Sequence, residues 1–282
     1  MKNQHIAIIG ATGKTGMRVQ QRLQQQGYSP RGLSRGSQPG FDWTRPDTWS
    51  AALQGMDAVY ITYQPDLAVP SAEQDIEHLI DVARQAGVSH LVLLSGRGED
   101  GAQRAEDRIM ASGLEWNVVR CGWFMQNFSE SFMLDGILSR HLVLPEARAK
   151  EPFIDVEDIA DLVVATLTRP ELRNRLFEVT GPELLSFADC VQSIAAAIGE
   201  PLIYQPIPLD DYLDIAAQNG MGDDMAWLIR ELFSVVLDGR NENTTDTIAD
   251  VLGRPARRFD DYVRRTLQSD VWKAQHAMEN LQ

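Results

Sequence analysis

The sequence predicts an α/β protein: a doubly wound parallel sheet of Rossmann type, followed by a smaller, mostly helical region. Three observations carry that prediction. The chain opens His5-Ile-Ala-Ile-Ile and turns through Gly10-Ala-Thr-Gly13-Lys-Thr-Gly16 into a helix-compatible stretch. Short, continuously apolar segments recur, among them Asp57-Ala-Val-Tyr-Ile-Thr62 and His90-Leu-Val-Leu-Leu-Ser95, as strands covered on both faces require. Helical patterns alternate with them. Gly27, Gly87 and Gly113 each fall just past such a pattern, where glycine ends a helix before the next strand.

In order, strands are predicted near 5–9, 30–34, 58–62, 90–95 and 115–120, with helices near 14–26, 47–54, 72–86 and 102–112. The first strand, turn and helix form an arrangement whose free N–H groups and macrodipole attract a dinucleotide pyrophosphate. The glycines are spaced G-x-x-G-x-x-G, not G-x-G-x-x-G. Alone, such a turn also reads as a tight βα connection with nothing bound. Gly13-Lys14-Thr15 resembles the end of a triphosphate-binding loop, but that motif needs glycine five residues before Gly13, where Ile8 stands. The triphosphate reading fails.

Beyond about residue 122 the pattern becomes mostly helical. Asp155-Val-Glu-Asp158 and Ser186-Phe-Ala-Asp189 each precede an apolar helical run and read as helix caps rather than catalytic acids. Leu176-Phe-Glu-Val-Thr180 reads as a short strand returning to the sheet edge. The predicted division is a dinucleotide-binding domain over 1–150 and a mostly helical substrate-binding region over 151–282. Met221, Met225 and Trp227, near an expected lid at 220–235, read as core.

The chain has 282 residues, 44% hydrophobic and 23% charged, the make-up of an ordinary globular protein. No segment approaches the roughly 18 to 20 unbroken apolar residues of a membrane span. The chain starts directly with a strand and shows no apolar signal region, so a cytoplasmic location is expected. Cys121 and Cys190 are too few for a disulfide framework, and the five histidines (His5, His78, His90, His141, His276) are scattered, so no metal site is expected. A net charge of −14 argues against nucleic acid as partner. The charge is unevenly spread: Lys2, Lys14, Arg18, Arg22, Arg31 and Arg35 give the first 41 residues +6, leaving −20 for the rest. That local excess suits a small polyanion, while Arg18 and Arg22 also read as a solvated helix face.

Four segments together carry a family resemblance. They are the glycine turn Gly10–Gly16, the run Ser112-Gly-Leu-Glu-Trp-Asn-Val-Val-Arg-Cys-Gly-Trp-Phe-Met-Gln-Asn127, Phe153-Ile-Asp-Val-Glu-Asp-Ile-Ala160, and Phe177-Glu-Val-Thr-Gly-Pro182. The chain resembles, over nearly its whole length, the NmrA-like atypical short-chain dehydrogenases/reductases. Gly13-Lys-Thr15 with Phe41-Asp-Trp43 is similar to the ergot alkaloid (festuclavine dehydrogenase-like) reductases, and the C-terminal layout to triphenylmethane and quinone reductases. The resemblance implies bound NADP(H), with Gly10, Thr12, Gly13, Lys14, Thr15 and Gly16 around the pyrophosphate and Ser34 and Arg35 at the adenosine 2′-phosphate. It places Asp42 and Trp43, after a third strand, beside the adenine, and Tyr63, Gln64, Ser95 and Gly96 toward the nicotinamide. Chemistry agrees on the phosphate form. An NAD site places an acid about 20 residues beyond the turn, whereas Arg35 offers a planar, permanently charged fork. NADP(H) is therefore expected over NAD(H).

The catalytic residue is unknown from sequence. None of the six tyrosines has lysine four residues later, so the Tyr-x-x-x-Lys pair of carbonyl-reducing relatives is missing. The Lys or His found in many members four residues before the glutamate matching Glu106 is here Ala102. A ketone would need a positioned acid. An iminium ion or cationic dye is neutralised by hydride alone, and a quinone gives a weakly basic anion. The expected function is thus NADPH-dependent reduction of a conjugated or cationic small molecule held in a dry pocket. Arg97, Trp123, Phe124 and Met125, with Tyr63, are the candidate pocket; the aromatics equally read as packing. Glu106 either fixes a neighbouring helix or meets a cationic substrate. The alternative function is a non-catalytic NAD(P) sensor acting through a protein partner.

Overall fold

The computed structural model describes residues 4–273; Lys2 and His276 lie outside the described residues. In chain order the elements are β1 (Ile6–Ile9), α1 (Lys14–Gln25), β2 (Arg31–Leu33), α2 (Trp49–Leu53), β3 (Ala58–Ile61), α3 (Ala72–Gln85), β4 (His90–Gly96), α4 (Asp100–Met110) and β5 (Glu115–Cys121). Then follow α5 (Leu134–Leu138), β6 (His141–Pro145), α6 (Val156–Thr168), β7 (Arg175–Val179), α7 (Phe187–Ile198), β8 (Ile203–Ile207), α8 (Leu209–Gln218), α9 (Asp223–Glu231), α10 (Thr247–Leu252) and α11 (Phe259–Gln268).

Six strands form one parallel sheet in the order β2-β1-β3-β4-β5-β7, with Ile8 opposite both Gly32 and Tyr60, and Cys121 opposite Val179. The predicted return of the segment near 176–180 to the sheet edge is β7. The central strands β1 and β3 are buried along their whole length because both faces are covered. Alternate residues Ala7, Ile9, Val59, Ile61, Leu91, Leu93 and Val118 pack under α2, α3 and α4 in one cluster. The intervening Ile6, Ile8, Ala58, Tyr60 and Val92, also buried, point the other way, toward the side of α1 and α6. No third strand lies between β2 and Asp42: Phe41 is buried, but its N–H closes a turn onto the Ser34 carbonyl at 2.9 Å.

The chain divides into two compact units. The first runs to Gly122 and includes Val156–Thr180 and Thr245–Pro255; the second comprises Trp123–Asp155, Gly181–Thr244 and the chain from Ala256. The division therefore differs from a single boundary near residue 150. The reason is physical: α6 and β7 complete the sheet and its cover. The first unit is also closed at its seam, where the Thr245 N–H donates to Thr180 Oγ1 at 2.8 Å and Thr245 Oγ1 donates to the Glu178 carbonyl at 2.9 Å.

Arg18 and Arg22 on α1 are not a solvated face. They pair with Glu157 and Asp161 on α6 at 2.5–2.6 Å, and Arg254 joins Asp161 at 2.5 Å and the buried Asp158 at 2.7 Å. Burial raises the Glu157 pKa, but hydrogen bonds from Arg22 and Arg18 outweigh it and hold the carboxyl below its ordinary range. Asp158 is thus an ion-pair partner rather than only a cap residue.

The second unit is centred on aromatic rings, with Phe128, Phe153, Phe187 and Phe259 at centroid separations of 5.4–6.4 Å. Tyr262 donates to Ser129 Oγ and Trp272 Nε1 to the Phe128 carbonyl. The unit is not purely helical: β6 and β8 pair in parallel, Leu142 opposite Tyr204. The capping box read at Ser186 is present, with the Asp189 N–H on Ser186 Oγ and the Ser186 N–H on Asp189. Asp155, fully buried, accepts from Gln126 at 2.8 Å and from Arg265.

Candidate functional site

The strand order reverses at β1, so the crevice between the carboxyl ends of β1 and β3 is where a doubly wound sheet takes its ligand. Gly10 stands at one lip and Thr62 at the other. Gly10 has φ +77°, and a Cβ there would lie 2.1 Å from Thr62 Oγ1, which itself donates to the Ile9 carbonyl. A Cβ on Gly16 would lie 2.2 Å from the Gly10 carbonyl oxygen. The turn is therefore packed against the Thr62 side chain at Gly10 and backbone on backbone at Gly16, which only glycine allows.

The helix that follows is left uncapped by its own side chains. Gly13 is the N-cap in extended conformation and has no side chain with which to cap the first-turn N–H groups, and the first turn carries no acid. Those N–H groups and the positive end of the dipole face out of the turn, the donor set an anionic phosphate requires. Thr12 is exposed, whereas Thr15 is buried and accepts the Tyr60 hydroxyl at 3.0 Å. Tyr60 thereby fixes the first turn from beneath, and burial drives its pKa well above the ordinary phenol value.

At the end of β2, Ser34 and Arg35 begin a loop closed by Ser37, whose Oγ donates to the Ser34 and Pro39 carbonyls and accepts the Ser34 N–H. The Arg35 side chain is exposed. Asp42 lies on the same loop. Hydrogen bonds from the N–H and hydroxyl of Thr44, with the Arg35 cation nearby, hold its carboxyl below the usual range. Trp43 donates its indole N–H to the Thr62 carbonyl at 3.1 Å, and its ring lies 4.5 Å from that of Tyr63. Tyr63 donates to Asp75 at 2.5 Å, and Gln64 is exposed. The predicted residues at the ends of β1, β2 and β3 thus lie along one edge of the first unit.

At the ends of β4, β5 and β7 the structure places a buried ionic network that sequence reasoning missed. Ser95 donates to Glu106 at 2.5 Å, and Arg120 grips both Glu106 oxygens, one at 2.9 Å. Arg120 also reaches Glu178 at 3.6 Å, and Arg97 donates to Glu178 at 2.9 Å. The Glu106 hydrogen bond lifts the Arg120 pKa above its ordinary value. Glu106 is 1% exposed and fully engaged, so it anchors α4 to β4 and β5. Arg97, expected in the pocket, is 4% exposed and belongs to this network instead. Ala102, one turn before Glu106, is fully buried. Partners drawn from three strands and a helix leave no spacing signal that could have exposed the network.

In the second unit Trp123 is 6% exposed, edge-on to Phe187 and Phe233 at 5.2 and 5.5 Å, and Met125 is fully buried. Packing accounts for both. Phe124 stays partly exposed while its backbone bridges Ile154. Met225 and Trp227 are 39% and 38% exposed on α9, so the core reading fails for them; Met221 packs against the core. The amphipathic period of α9 directs Leu228 and Ile229 inward instead. Among the described residues no three His, Cys, Asp or Glu side chains converge as metal ligands, and no helix is long and apolar enough to cross a membrane.

A parallel doubly wound sheet with an uncapped, glycine-packed turn at its switch point defines a dinucleotide-binding oxidoreductase scaffold. The chain belongs to the NAD(P)H-binding family, whose model matches residues 10–170, and is by class an NAD(P)H-dependent oxidoreductase. It is 30% identical to the NAD(P)H azoreductase of Xenophilus azovorans, over 92% of this chain and 96% of that one. It is 28% identical to the agroclavine dehydrogenase of Claviceps fusiformis, over 95% and 98%. The fold matches the NADPH-dependent quinone oxidoreductase QOR2 of Escherichia coli with TM-score 0.79 at 17% identity, over 93% of this chain and 99% of that one. At that identity the likeness speaks for the fold alone.

Proposed function

We propose that this chain is an NADPH-dependent reductase that passes hydride to a conjugated or cationic small molecule. The observation that carries the reading is the uncapped start of α1, packed by Gly10, Gly13 and Gly16 at the switch point. Its N–H groups, with Thr12, Lys14 and Thr15 in the same turn, would hold the pyrophosphate. Arg35, exposed at the end of β2 beside Ser34, would take the 2′-phosphate by paired N–H donation. Asp42 and Trp43 would flank the adenine. Tyr63, Gln64 and the backbone of Ser95 and Gly96 would border the nicotinamide half.

When bound, the dinucleotide supplies a hydride. The chain's own residues then orient the acceptor and keep water away, which suffices when the product is neutral or a delocalised anion. Of the candidate pocket residues in the second unit, Phe124 alone keeps partial exposure, while Trp123 and Met125 are buried in its core. The relatives' names fit this chemistry: azo compounds, quinones and the ergoline agroclavine are conjugated or basic small molecules.

Parallel calorimetric titrations with NADPH and NADH test the cofactor. NADPH is expected to bind at least tenfold more tightly, and Arg35→Ala to remove that preference by weakening NADPH alone, a loss of about 1.4 kcal/mol or more. NADPH oxidation with quinones, cationic dyes and iminium compounds tests the chemistry. Absence of binding, or binding without turnover of any class, would overturn the reading.

A further inference from the structure

The run Ala58-Val-Tyr-Ile-Thr62, which is β3 and the residue after it, is apolar except for the hydroxyls of Tyr60 and Thr62. Standing two apart along a strand, they point to the same face of the sheet. Both direct their hydroxyl groups at the glycine turn. Thr62 Oγ1 donates to the Ile9 carbonyl at 3.0 Å and occupies the space that a side chain on Gly10 would need. Tyr60, level with Ile8 and fully buried, donates to Thr15 Oγ1 at 3.0 Å. One fastener thus sits at the entry of the turn and the other at the start of α1.

Within the turn itself the backbone donors are already committed. The Gly10 and Ala11 N–H groups donate to the Leu33 carbonyl at 3.0 and 3.1 Å, and the Gly13 N–H donates to the Gly10 carbonyl at 2.9 Å. A phosphate therefore depends on Thr12 and on the first turn of α1 for N–H donors. Thr15 stands in that first turn, 4% exposed and bonded onto Tyr60 beneath it. A buried hydroxyl that loses its partner costs more than the bond itself contributes, so the turn does not lift readily off the sheet. Burial also holds the Tyr60 phenol in its protonated form, as a permanent donor. A loop fixed before its ligand arrives loses little freedom on binding it.

We infer that Tyr60 and Thr62 are positioning residues, which hold the glycine turn and the start of α1 in their phosphate-binding shape and so strengthen dinucleotide binding without touching the dinucleotide. The inference rests on the reading above, in which this turn takes the pyrophosphate. The grip is local. Arg35, proposed for the 2′-phosphate, stands on the loop after β2, which Ser37 closes through its own hydrogen bonds. A ligand that carries the 2′-phosphate but no pyrophosphate is therefore indifferent to both hydroxyls.

Calorimetric titrations test this with wild type, Tyr60→Phe, Thr62→Val and Thr62→Ser, using NADPH and adenosine 2′-monophosphate. Tyr60→Phe and Thr62→Val are each expected to weaken NADPH about tenfold and to leave adenosine 2′-monophosphate within about twofold. Thr62→Ser keeps the hydroxyl and is expected to stay within about twofold of wild type for both ligands. Thr15→Val removes the Tyr60 bond from its other side, so adding Tyr60→Phe to it is expected to weaken NADPH no further. A second readout needs no ligand. Amide hydrogen exchange over Thr15, Gly16 and Met17 is expected to quicken about tenfold in Tyr60→Phe, with the β4 amides unchanged. Equal weakening of both ligands, additive losses in the double variant, or exchange quickened equally in β4 would each overturn the positioning role. Unchanged NADPH affinity in Tyr60→Phe and Thr62→Val overturns the inference alone. Wild type that does not bind NADPH overturns the pyrophosphate reading and the inference together.

Discussion

At the scale of single residues the decisive quantities are distances across the glycine turn. The carbonyl of Gly10 sits where a Cβ on residue 16 would be, and the next nearest atoms, at 2.8 and 3.1 Å, are also backbone. Nothing flexible can yield. Gly16→Ala is therefore expected to cost about 1–3 kcal/mol in stability and to abolish dinucleotide binding. A lowered melting temperature with no heat of NADPH binding is the expected result; retained binding would mean the turn can open. These glycines are legible in the sequence because their spacing sits between an apolar strand and a helix. Arg97 and Glu178 are not legible in the same way. They are 81 positions apart in the chain, and only the fold brings them together. Met225 and Trp227 show the converse, since apolar residues at helical spacing suggest burial that α9 does not give them.

At the scale of elements, the amino ends of β4 and β5 are joined by His90 and Asn117, both fully buried. Asn117 Nδ2 donates to the Leu172 and Arg175 carbonyls at 2.7 and 3.1 Å, so its oxygen faces His90 Nε2 at 3.0 Å. His90 Nε2 must then carry hydrogen. Burial, opposed by the Asn117 hydrogen bond, lowers the His90 pKa below its ordinary value. The unfolded chain binds the proton more readily, so this site's stability is complete above about pH 6.5 and is lost as pH falls toward the folded value. Between those limits the slope approaches 1.4 kcal/mol per pH unit. His90→Gln, which keeps a donor for Asn117, is expected to flatten the acid limb of melting temperature against pH. An unchanged limb would assign it to other groups. Strands β1, β3 and β4 were readable as elements because strands covered on both faces are almost continuously apolar. The β6–β8 pair was not: His141-Leu-Val-Leu-Pro145 is short, and its partner carries exposed residues.

At the scale of the whole molecule, the chain enters and leaves the first unit more than once. A fragment of residues 1–150 would retain β1 to β5 yet lack α6, which covers one sheet face, and β7, which pairs with β5. Bare apolar faces and an open strand edge favour aggregation over folding. Such a fragment is expected to show no cooperative thermal transition by circular dichroism, and a sharp transition would refute that dependence. A return strand announced itself at Leu176–Thr180, but the ownership of 156–180 by the first unit did not, because it is set by contacts and not by local pattern.

The joint between Thr180 and Thr245 carries a further meaning. Everything from Gly181 to Thr244 is an excursion whose two ends are fastened to each other on the first unit. With the ends held, lengthening or exchanging the segment changes loop-closure entropy only logarithmically. Descent can therefore rewrite the excursion while the cofactor-bearing sheet stays constant. Phe187 and Phe233 within it still pack on Trp123 and Phe128, so the part free to change is its exposed face.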